Sequence, residues 1–552
     1  MEMETKLTVS SIGSASTVDR PTLQALLEPF AIHGNEFEKE YRAVSIIIAR
    51  VLGATPASFH TYSIYPVAMN TYVLCMVALQ GLPYRKKIPW LISIVLTDNS
   101  KLPSNFLRLA SIITSLVAQC AYCSALACGL GDIFKGSIAV SEPLRLAPNE
   151  VSPNDRIALR LCVAATKVPA RVSLPMQNET ASAFDGTIGL QQIGNLVAIA
   201  GFKNSLNTLL GLEIDELHAR NAEIAFKKTA FSFGVHKYNG AFKSTVSPRR
   251  KKNSIYSRIK EAVDILVHLR IFLSLNQTIQ SKLPTTHVSL DTWLLQKFQG
   301  FAPRYLTQIK NASTKRIYCS FLEQTLFCDT ASAETQQSFT KEFTANLPIF
   351  EKIILAFVYM KGVANNLLVS HFAYIANKLN IPPSSLTGAL DAAKAFNHKS
   401  PNVEPVSSQM DIMVPLMYYT ARRYHKRIWR LTPRLMRACD NNPATVLAFS
   451  TLAGTFTLLH RYSAVVAGVD SCESPVKDFV ESQYGQECGL KTSLAGYTSS
   501  RKFLASEEEQ EIDWDDVDLT NVGVAAASMR MDISGVVGTE VSEDLWGGTL
   551  EF

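Results

Sequence analysis

Hydrophobic positions repeat at helical spacing along most of the chain. The first such stretch covers 22–52, where apolar residues lie three or four positions apart on both sides of Gly34. Longer stretches follow at 58–82, 101–130 and 187–212. No stretch alternates apolar and polar residues as a half-buried strand does. The pattern therefore predicts an all-α protein.

Helix boundaries are marked by capping residues. Ser152, followed by a proline and then by Asn and Asp, predicts the start of a helix that ends near Pro169. The apolar stretch 101–131 is predicted to be one central helix, and it carries two cysteines in a Cys-x-x-Cys spacing. Its apolar run is interrupted by Arg108 and Gln119, so we expect a core helix and no membrane span.

The order of elements in the first half returns in the second half. Residues 346–379 begin with Leu-Pro and continue as a long apolar helix, as residues 101–131 do. Farther along, 444–465 resembles the apolar helix at 186–212. We interpret this order as a diverged tandem duplication.

Changes in composition divide the chain into five segments. A polar and basic stretch separates the two apolar halves, and beyond Cys472 the apolar periodicity gives way to Gly, Ser and acidic residues. The predicted segments are a disordered leader at 1–21, a first helical domain at 22–236, a basic linker at 237–253, a second helical domain at 254–470, and an acidic, mostly disordered tail at 471–552.

Charge is distributed unevenly around a formal net charge of +6. The tail is densely acidic at 507–518, whereas basic residues concentrate at 249–252 and at 421–437. Arginines mixed with aromatic residues at 421–437 suit contact with phosphate or nucleic acid. We prefer a solvated helix face or an internal partner for the acidic tail, so nucleic-acid binding is not our first expectation. The candidate interaction residues are Arg422, Arg423, Lys426, Arg427, Arg430 and, in the tail, Trp514.

The cysteines and the N-terminal residues indicate the compartment. Ten cysteines are scattered over the chain, several of them in apolar helical stretches, which is not the pattern of a disulfide framework. Residues 1–17 lack the apolar segment of a secretion signal and contain acids that a mitochondrial presequence avoids. We therefore expect an intracellular, cytoplasmic protein. The basic patch at 249–252 makes a nuclear location the alternative.

The spacing of Cys120 and Cys123 has two interpretations. In a redox pair, helix geometry stabilises one thiolate, and the second thiol lies one turn away to resolve the oxidised form. In a structural role, the two cysteines are small buried hydrophobic residues. A zinc site needs two more ligands, and Cys128 alone is near, so we predict no metal. No nucleotide-binding or hydrolase motif is present, and we predict no cofactor.

These helices together resemble the AhpD-like superfamily, which includes carboxymuconolactone decarboxylases and alkylhydroperoxidases. The resemblance covers about 58–215 and rests on a Leu-Pro start, the Cys-x-x-Cys helix, the helix RIALRLCVAATKVPA and the last long helix. In that last helix Phe202 and Asn204 match the family's Phe and Asn. A second, weaker copy at 254–469 makes the arrangement similar to that of the sestrins. The resemblance implies two helical domains related by a pseudo-twofold axis.

The resemblance also implies a peroxidase site in which a Glu, two Cys and a His relay protons to and from the thiols. Cys120 and Cys123 match the cysteines, and Tyr122 stands between them, where some relatives have a His. The Glu position holds Arg108, and the His position holds Ala127. A guanidinium is no base at neutral pH, although Arg108 can lower a thiol pKa electrostatically. The thiols are thus retained and the proton relay is missing.

The second copy has no thiols at the matching positions. Asn365 aligns with Cys120, and Leu368 aligns with Cys123. His371 falls one residue from the family's His position, and we expect it to be a core residue.

Three functions fit these features. Because the relay is missing, we favour a non-catalytic scaffold for protein interaction or ligand sensing, with the acidic tail contacting a protein partner. The first alternative is a thiol-dependent antioxidant enzyme, peroxidase or decarboxylase-like, that uses Cys120 and Cys123. The second is nucleic-acid binding through 422–437. AhpD-like proteins also commonly oligomerise, so the resemblance implies either a homo-oligomer or a tandem copy that replaces this contact within one chain.

Overall fold

The computed structural model describes the chain in stretches. They are residues 22–34, 36–37, 41, 45, 54–56, 58–74, 102, 104–127, 152–215, 218–219, 245–246, 263, 283–284, 286–328, 344–396, 408–469 and 473–490. The described residues are predominantly helical, so the prediction of an all-α protein is confirmed at this level.

Besides short helical pieces at 34, 36–37, 45 and 218–219, the structure describes eight helices of five or more residues before residue 220. They are α1 (Leu23–Leu27), α2 (Ser58–Ser63), α3 (Pro66–Leu74), α4 (Ser104–Val117), α5 (described over 121–127), α6 (Pro153–Thr166), α7 (Leu174–Ala183) and α8 (Gly186–Leu210). The predicted start of α6 is confirmed, because the Ser152 side chain accepts a hydrogen bond from the backbone N–H of Asp155.

The second half contributes the remaining described helices. They are α9 (His287–Lys297), α10 (Arg304–Thr307), α11 (Ala312–Leu322), α12 (Ile349–Gly362), α13 (Asn366–Lys378), α14 (Pro383–Ala395), α15 (Met410–Arg422), α16 (His425–Ala438), α17 (Pro443–Val466), α18 (Ser474–Glu481) and α19 (Gln483–Glu487). A π-helical turn at Glu323–Phe327 continues α11.

The two longest helices, α8 and α17, pack against each other in the middle of the protein. Gly194 of α8 lies against Val465, whereas Ser205 farther along α8 lies against Thr457, so the helices run antiparallel. The helices approach closely at Gly454, where a Cβ would lie 2.9 Å from a ring carbon of Phe202. Buried hydrophobic residues of both halves form one continuous cluster around this helix pair.

Helix α17 is also long and apolar enough to cross a bilayer by length and composition. One such helix is weak evidence for a membrane span, because the buried core helix of a folded domain meets the same criteria. The most apolar part of α17 is buried throughout within the protein.

The prediction of one uninterrupted helix over 101–131 is wrong. Helix α4 ends at Val117, and α5 begins only after Cys120. Gln119 between them has a left-handed backbone with φ +56°, which ends the α-helical hydrogen-bond pattern. The N–H of Cys120 then donates to the carbonyl of Ser115 at 2.9 Å and closes the turn. This break places Cys120 at the N-terminal end of α5.

The connection between α12 and α13 has the same local geometry. Ala364 has φ +53°, and the N–H of Asn365 donates to the carbonyl of Met360 at 3.0 Å. The Asn365 side chain then accepts a hydrogen bond from the N–H of Leu368 at 3.1 Å. The single predicted helix at 346–379 is therefore also two helices. In both places the residue just before the second helix, Cys120 or Asn365, caps that helix. Its side chain accepts a hydrogen bond from the backbone N–H three residues later.

The predicted tail is partly folded. Residues 473–490 form α18 and α19, which contact α13 and α14, and Val476, Val480 and Cys488 are buried. The prediction of disorder is thus wrong for this part. The rest of the tail, with the acidic run and Trp514, lies outside the described residues, and so does the leader at 1–21. Of the predicted linker only Thr245–Val246 is described, and it pairs antiparallel with Ala54–Thr55.

Candidate functional site

The two cysteines of the Cys-x-x-Cys motif lie side by side in the core. Their Sγ atoms are 2.7 Å apart, and both are free thiols. Cys120 caps α5, since its Sγ accepts a hydrogen bond from the N–H of Cys123 at 3.4 Å. Residues three apart share one face of a helix, so the Cys123 thiol lies beside the Cys120 thiol that caps the helix. Cys120 is fully buried, and Cys123 is 8% exposed.

Polar side chains of α8 surround the thiols. Asn207 donates from Nδ2 to Cys123 Sγ at 3.2 Å. Asn204 also hydrogen-bonds Cys123, and Thr208 hydrogen-bonds Cys120. The spacing of 204, 207 and 208 puts all three side chains on one face of α8. The long apolar helix thus presents a polar patch at the position of the thiol pair.

Neighbouring groups orient the two amides. The Tyr62 hydroxyl donates to Asn207 Oδ1 at 2.5 Å, which leaves the Asn207 amide N–H groups for Cys123. Asn204 donates to Ser115 Oγ at 3.2 Å and accepts a hydrogen bond at Oδ1 from Arg461 Nη1 at 3.3 Å. Arg461 lies on α17 and is buried. The second half of the chain therefore contributes a positive charge behind the first half's thiols.

The surroundings of the two thiols shift their pKa values in opposite directions. Burial raises the pKa of Cys120, and the hydrogen bond that it donates to Cys123 raises it further. Burial acts in the same direction on Cys123, but hydrogen bonds from Cys120, Asn204 and Asn207 outweigh it, and the charge of Lys203 adds to them. The pKa of Cys123 is thereby lowered. This difference favours ionisation of Cys123, with the shared proton on Cys120.

The other residues predicted for the site have different places. Tyr122 is buried, and its hydroxyl donates to Ser58 Oγ on α2 at 2.6 Å. Burial raises the pKa of Tyr122 well above its usual value, so it does not supply a base. Arg108 lies on α4, and its side chain is outside the described part of the protein. Ala127 is buried on α5.

Arg423 joins the second half to the helix ends near the thiols. It follows α15 with φ +58°, and its Nη1 donates to the carbonyl of Val117 at 2.9 Å. Its Nη2 donates to the carbonyl of Thr166. These two residues end α4 and α6, whose last carbonyls have no partner within their own helices. For Arg423 the prediction of a solvated helix face is therefore wrong.

The other arginines of the basic cluster make both internal and surface contacts. Arg422 Nη1 donates to the carbonyl of Gly362 at 3.3 Å. The Arg427 guanidinium lies 4.8 Å from the centre of the Tyr424 ring, within cation–π distance. Lys426 is exposed, and Arg430 is partly buried. These residues therefore do not form a continuous exposed basic stripe.

A cavity opens beside the thiols between the two halves. It has a volume of about 20 Å³, enough for about one water molecule. Asn204 and Thr208, which hydrogen-bond the thiols, are part of its wall. The wall also carries Arg423, Arg461 and His460. A small polar molecule in this cavity lies one side chain away from Cys123.

Sequence reasoning missed several of these residues. Arg461 and His460 stand next to each other in a helix that is otherwise apolar, and a charge in a buried run is a signal of function. Asn207 and Tyr62 carried no such signal, because their roles depend on contacts between distant helices. The predicted core position of His371 is confirmed, since it is fully buried.

The matching position in the second half carries a different polar group. Asn365 donates from Nδ2 to His460 Nδ1 at 3.0 Å and to Ser463 Oγ at 3.0 Å. His371 lies nearby on α13, 3.7 Å from Glu473 Oε1, and burial lowers its pKa to about 3. Neither group is a redox centre.

Within the described stretches no three His, Cys, Asp or Glu side chains lie together so that they could hold a metal ion. No protein-family model, no curated protein and no solved structure matches this chain.

Proposed function

We propose that this protein is a dithiol oxidoreductase that reduces hydroperoxides, with Cys123 as the nucleophile and Cys120 as the resolving thiol. The observation that carries the proposal is the hydrogen-bonded thiol pair, in which Cys120 donates to Cys123 and two asparagines stabilise the Cys123 thiolate. A structural pair of buried cysteines has no need of these donors. The geometry therefore favours the redox alternative over a non-catalytic scaffold.

The reaction balances with the two thiols and one peroxide. The Cys123 thiolate attacks the terminal oxygen of the hydroperoxide, the O–O bond breaks, and a sulfenic acid forms on Cys123. The departing alkoxide takes the proton of Cys120. The Cys120 thiolate then attacks the Cys123 sulfur, a disulfide forms, and the released hydroxide takes a proton from solvent. An external thiol reductant restores the dithiol.

The neighbours of the pair replace part of the missing relay. The Glu and His positions of the AhpD-like pattern hold Arg108 and Ala127, and neither accepts a proton at neutral pH. Asn204, Asn207 and Arg461 instead stabilise negative charge at Cys123 without moving a proton. We therefore expect a peroxidase whose rate depends on the fraction of Cys123 that is already ionised.

We also propose that the chain is a diverged tandem repeat of the AhpD-like type. Support comes from the matched turns at 119–123 and 364–368, and from the antiparallel packing of α8 on α17. In this arrangement the second copy has lost its thiols and has acquired a supporting role, because Arg423 and Arg461 reach the first copy's site.

The scaffold function has one observation in its favour, which is the burial of the thiols. Cys120 is fully buried, and Cys123 is only 8% exposed, so a reactant must enter through the cavity. A scaffold predicts thiols that a peroxide cannot oxidise in the native protein. Turnover measurements therefore separate the two functions.

The test is consumption of hydrogen peroxide and of tert-butyl hydroperoxide with dithiothreitol as reductant. We expect turnover by the wild type, none by Cys123→Ala, and strongly reduced turnover by Cys120→Ala. Cys162→Ala is the matched control, because Cys162 is buried on α6 and burial raises its pKa to about 12. Wild-type turnover no faster than that of the Cys123 variant contradicts the proposal.

A further inference from the structure

The cavity beside the thiols has a wall with an unbalanced charge. Arg423 and Arg461 are both part of it, and none of its described lining residues is an aspartate or a glutamate. Among the described residues neither guanidinium forms an ion pair with a carboxylate. Arg423 uses its terminal nitrogens on two backbone carbonyls, and Arg461 uses Nη1 on Asn204. Two cationic groups thus line one cavity, and no carboxylate of the described residues pairs with either of them.

Such an arrangement is costly when the cavity is empty of anions. Removing a charge from water without a paired opposite charge costs free energy. Burial, together with the charge of Arg423, lowers the pKa of Arg461 to about 9, and burial lowers that of Arg423 to about 10. Both side chains remain cationic at neutral pH. Asn204 links Arg461 to the Cys123 thiolate, because it accepts a hydrogen bond from Arg461 and hydrogen-bonds Cys123.

A third donor stands in the same wall. His460 Nδ1 lies 3.0 Å from the amide nitrogen of Asn365, which can only donate, so the neutral ring carries its hydrogen on Nε2. His460 Nε2 is buried, and it has no hydrogen-bond partner among the described residues. Burial and the charges of Arg461 and Arg423 lower the pKa of His460 to about 3, so the ring stays neutral. The N–H at His460 Nε2 therefore has no acceptor among the described residues.

We propose that the cavity binds the carboxylate group of a small organic molecule, with Arg461 as its principal partner. A guanidinium binds a planar carboxylate through two parallel hydrogen bonds, and Nε and Nη2 of Arg461 remain for this purpose. Because the cavity has room for about one water molecule, only a small headgroup can enter it, and a planar carboxylate is smaller than a tetrahedral phosphate or sulfate. The rest of the ligand extends through the open side of the cavity.

This site does not depend on the thiol chemistry. If both proposals hold, the ligand's carboxylate lies next to Asn204, which hydrogen-bonds Cys123. The substrate class is then a hydroperoxide that carries a carboxylate. A variant with both cysteines replaced by alanine is expected to bind carboxylates as the wild type does. Failure of the redox proposal is therefore distinguishable from failure of this one.

The test is binding of ¹³C-labelled sodium acetate to the full-length protein in a chloride-free buffer, followed by NMR line broadening. We expect saturable binding by the wild type and an affinity at least about tenfold lower in Arg461→Met, the loss expected for hydrogen bonds to a charged group. Arg461→Lys keeps the charge without the planar fork and is also expected to bind more weakly. Arg437→Met removes an exposed arginine on α16 and serves as the control.

Two outcomes overturn the proposal. One is the absence of saturable acetate binding by the wild type, or equal affinity in the wild type and in both Arg461 variants. The other is sulfate binding as tight as acetate binding at matched ionic strength, which assigns the site to inorganic anions. Circular dichroism of every variant shows that the comparison is made between folded proteins.

Discussion

The side chain of Arg423 binds the backbone carbonyl of Val117, three residues before the first thiol. The Nη1–O distance is 2.9 Å, and the contact joins the C-terminal end of α15 to the C-terminal end of α4. Because α4 ends at Val117 and the next residues form the turn into α5, this contact fixes the position of Cys120. The thiol site of the first half is therefore held in place by the second half.

Replacing Arg423 by Met is expected to destabilise the fold. The variant loses two charge-assisted hydrogen bonds to Val117 and Thr166 and leaves their carbonyls without these donors. We expect the free energy of unfolding to fall by about 2–4 kcal/mol, from the usual cost of such bonds. Urea denaturation measures it. Arg437→Met, an exposed arginine, is the control and is expected to change stability by less than about 0.5 kcal/mol. Equal effects contradict the role of Arg423.

Two glycine substitutions are expected to have opposite effects. A Cβ at Gly201 would lie 2.7 Å from Arg461 Cδ, so Gly201→Ala displaces this side chain from Asn204 and costs about 1–3 kcal/mol. A Cβ at Gly388 meets no atom within 4 Å in the exposed middle of α14. Gly388→Ala is therefore expected to stabilise the protein by about 0.5–1 kcal/mol. Thermal unfolding of both variants checks the pair, and a Gly201 variant as stable as Gly388→Ala contradicts the close approach.

Asn207 is expected to set the reactivity of Cys123. Asn207→Leu keeps the volume but removes the amide donor, so the pKa of Cys123 rises and less thiolate is present at pH 7. We expect oxidation by hydrogen peroxide at pH 7 to slow by about tenfold, the effect of about one pKa unit. Stopped-flow kinetics with a thiol-specific readout measures this rate. Asn178→Leu changes an exposed asparagine on α7 and provides the baseline. An unchanged rate in the Asn207 variant removes this role.

Glu473 is expected to make stability depend on pH. Burial raises the pKa of Glu473 to about 7, although the N–H and charge of Arg304 act against it. Between about pH 4.5 and 7 the folded state holds a proton on this group that the unfolded chain has lost, so its contribution to stability falls as pH rises. His371, whose pKa is lowered to about 3, acts in the opposite direction below about pH 6.5.

Comparison with Glu473→Gln isolates the carboxyl group. We expect the stability of this variant, relative to wild type, to rise from pH 5 to about pH 7 and to level off above it in urea denaturation. Glu481→Gln, an exposed glutamate on α18, is the control and is expected to show no such trend. A constant difference between Glu473→Gln and wild type means that the carboxyl group keeps its ordinary acidity.

The sequence predicts individual helices better than it predicts their interruptions. Periodicity and the Ser152 cap suffice for α6, because these signals are local. The turn before Cys120 escapes prediction, because its left-handed residue is Gln119, where a glycine or asparagine is the usual signal. Ala364 hides the second turn for the same reason.

The site was predictable only in its thiols. Cys120 and Cys123 are found by spacing, because an i, i+3 pair on a helix is adjacent whatever the fold. The basic composition of the segment around Arg423 predicts a solvated helix face or an internal partner for the acidic tail. The true partners of Arg423, Val117 and Thr166, lie more than 250 positions earlier in the chain. Only the packing of the two halves brings them together.

Trapping of sulfenic acid tests the central assignment of the two thiols most directly. Cys120→Ala and Cys123→Ala are each treated with one equivalent of hydrogen peroxide in the presence of dimedone, and the labelled residue is identified by peptide mass spectrometry. We predict labelling of Cys123 in the Cys120 variant and none of Cys120 in the Cys123 variant, because only Cys123 has a lowered pKa. Labelling of Cys120 alone, or of neither cysteine, contradicts the account.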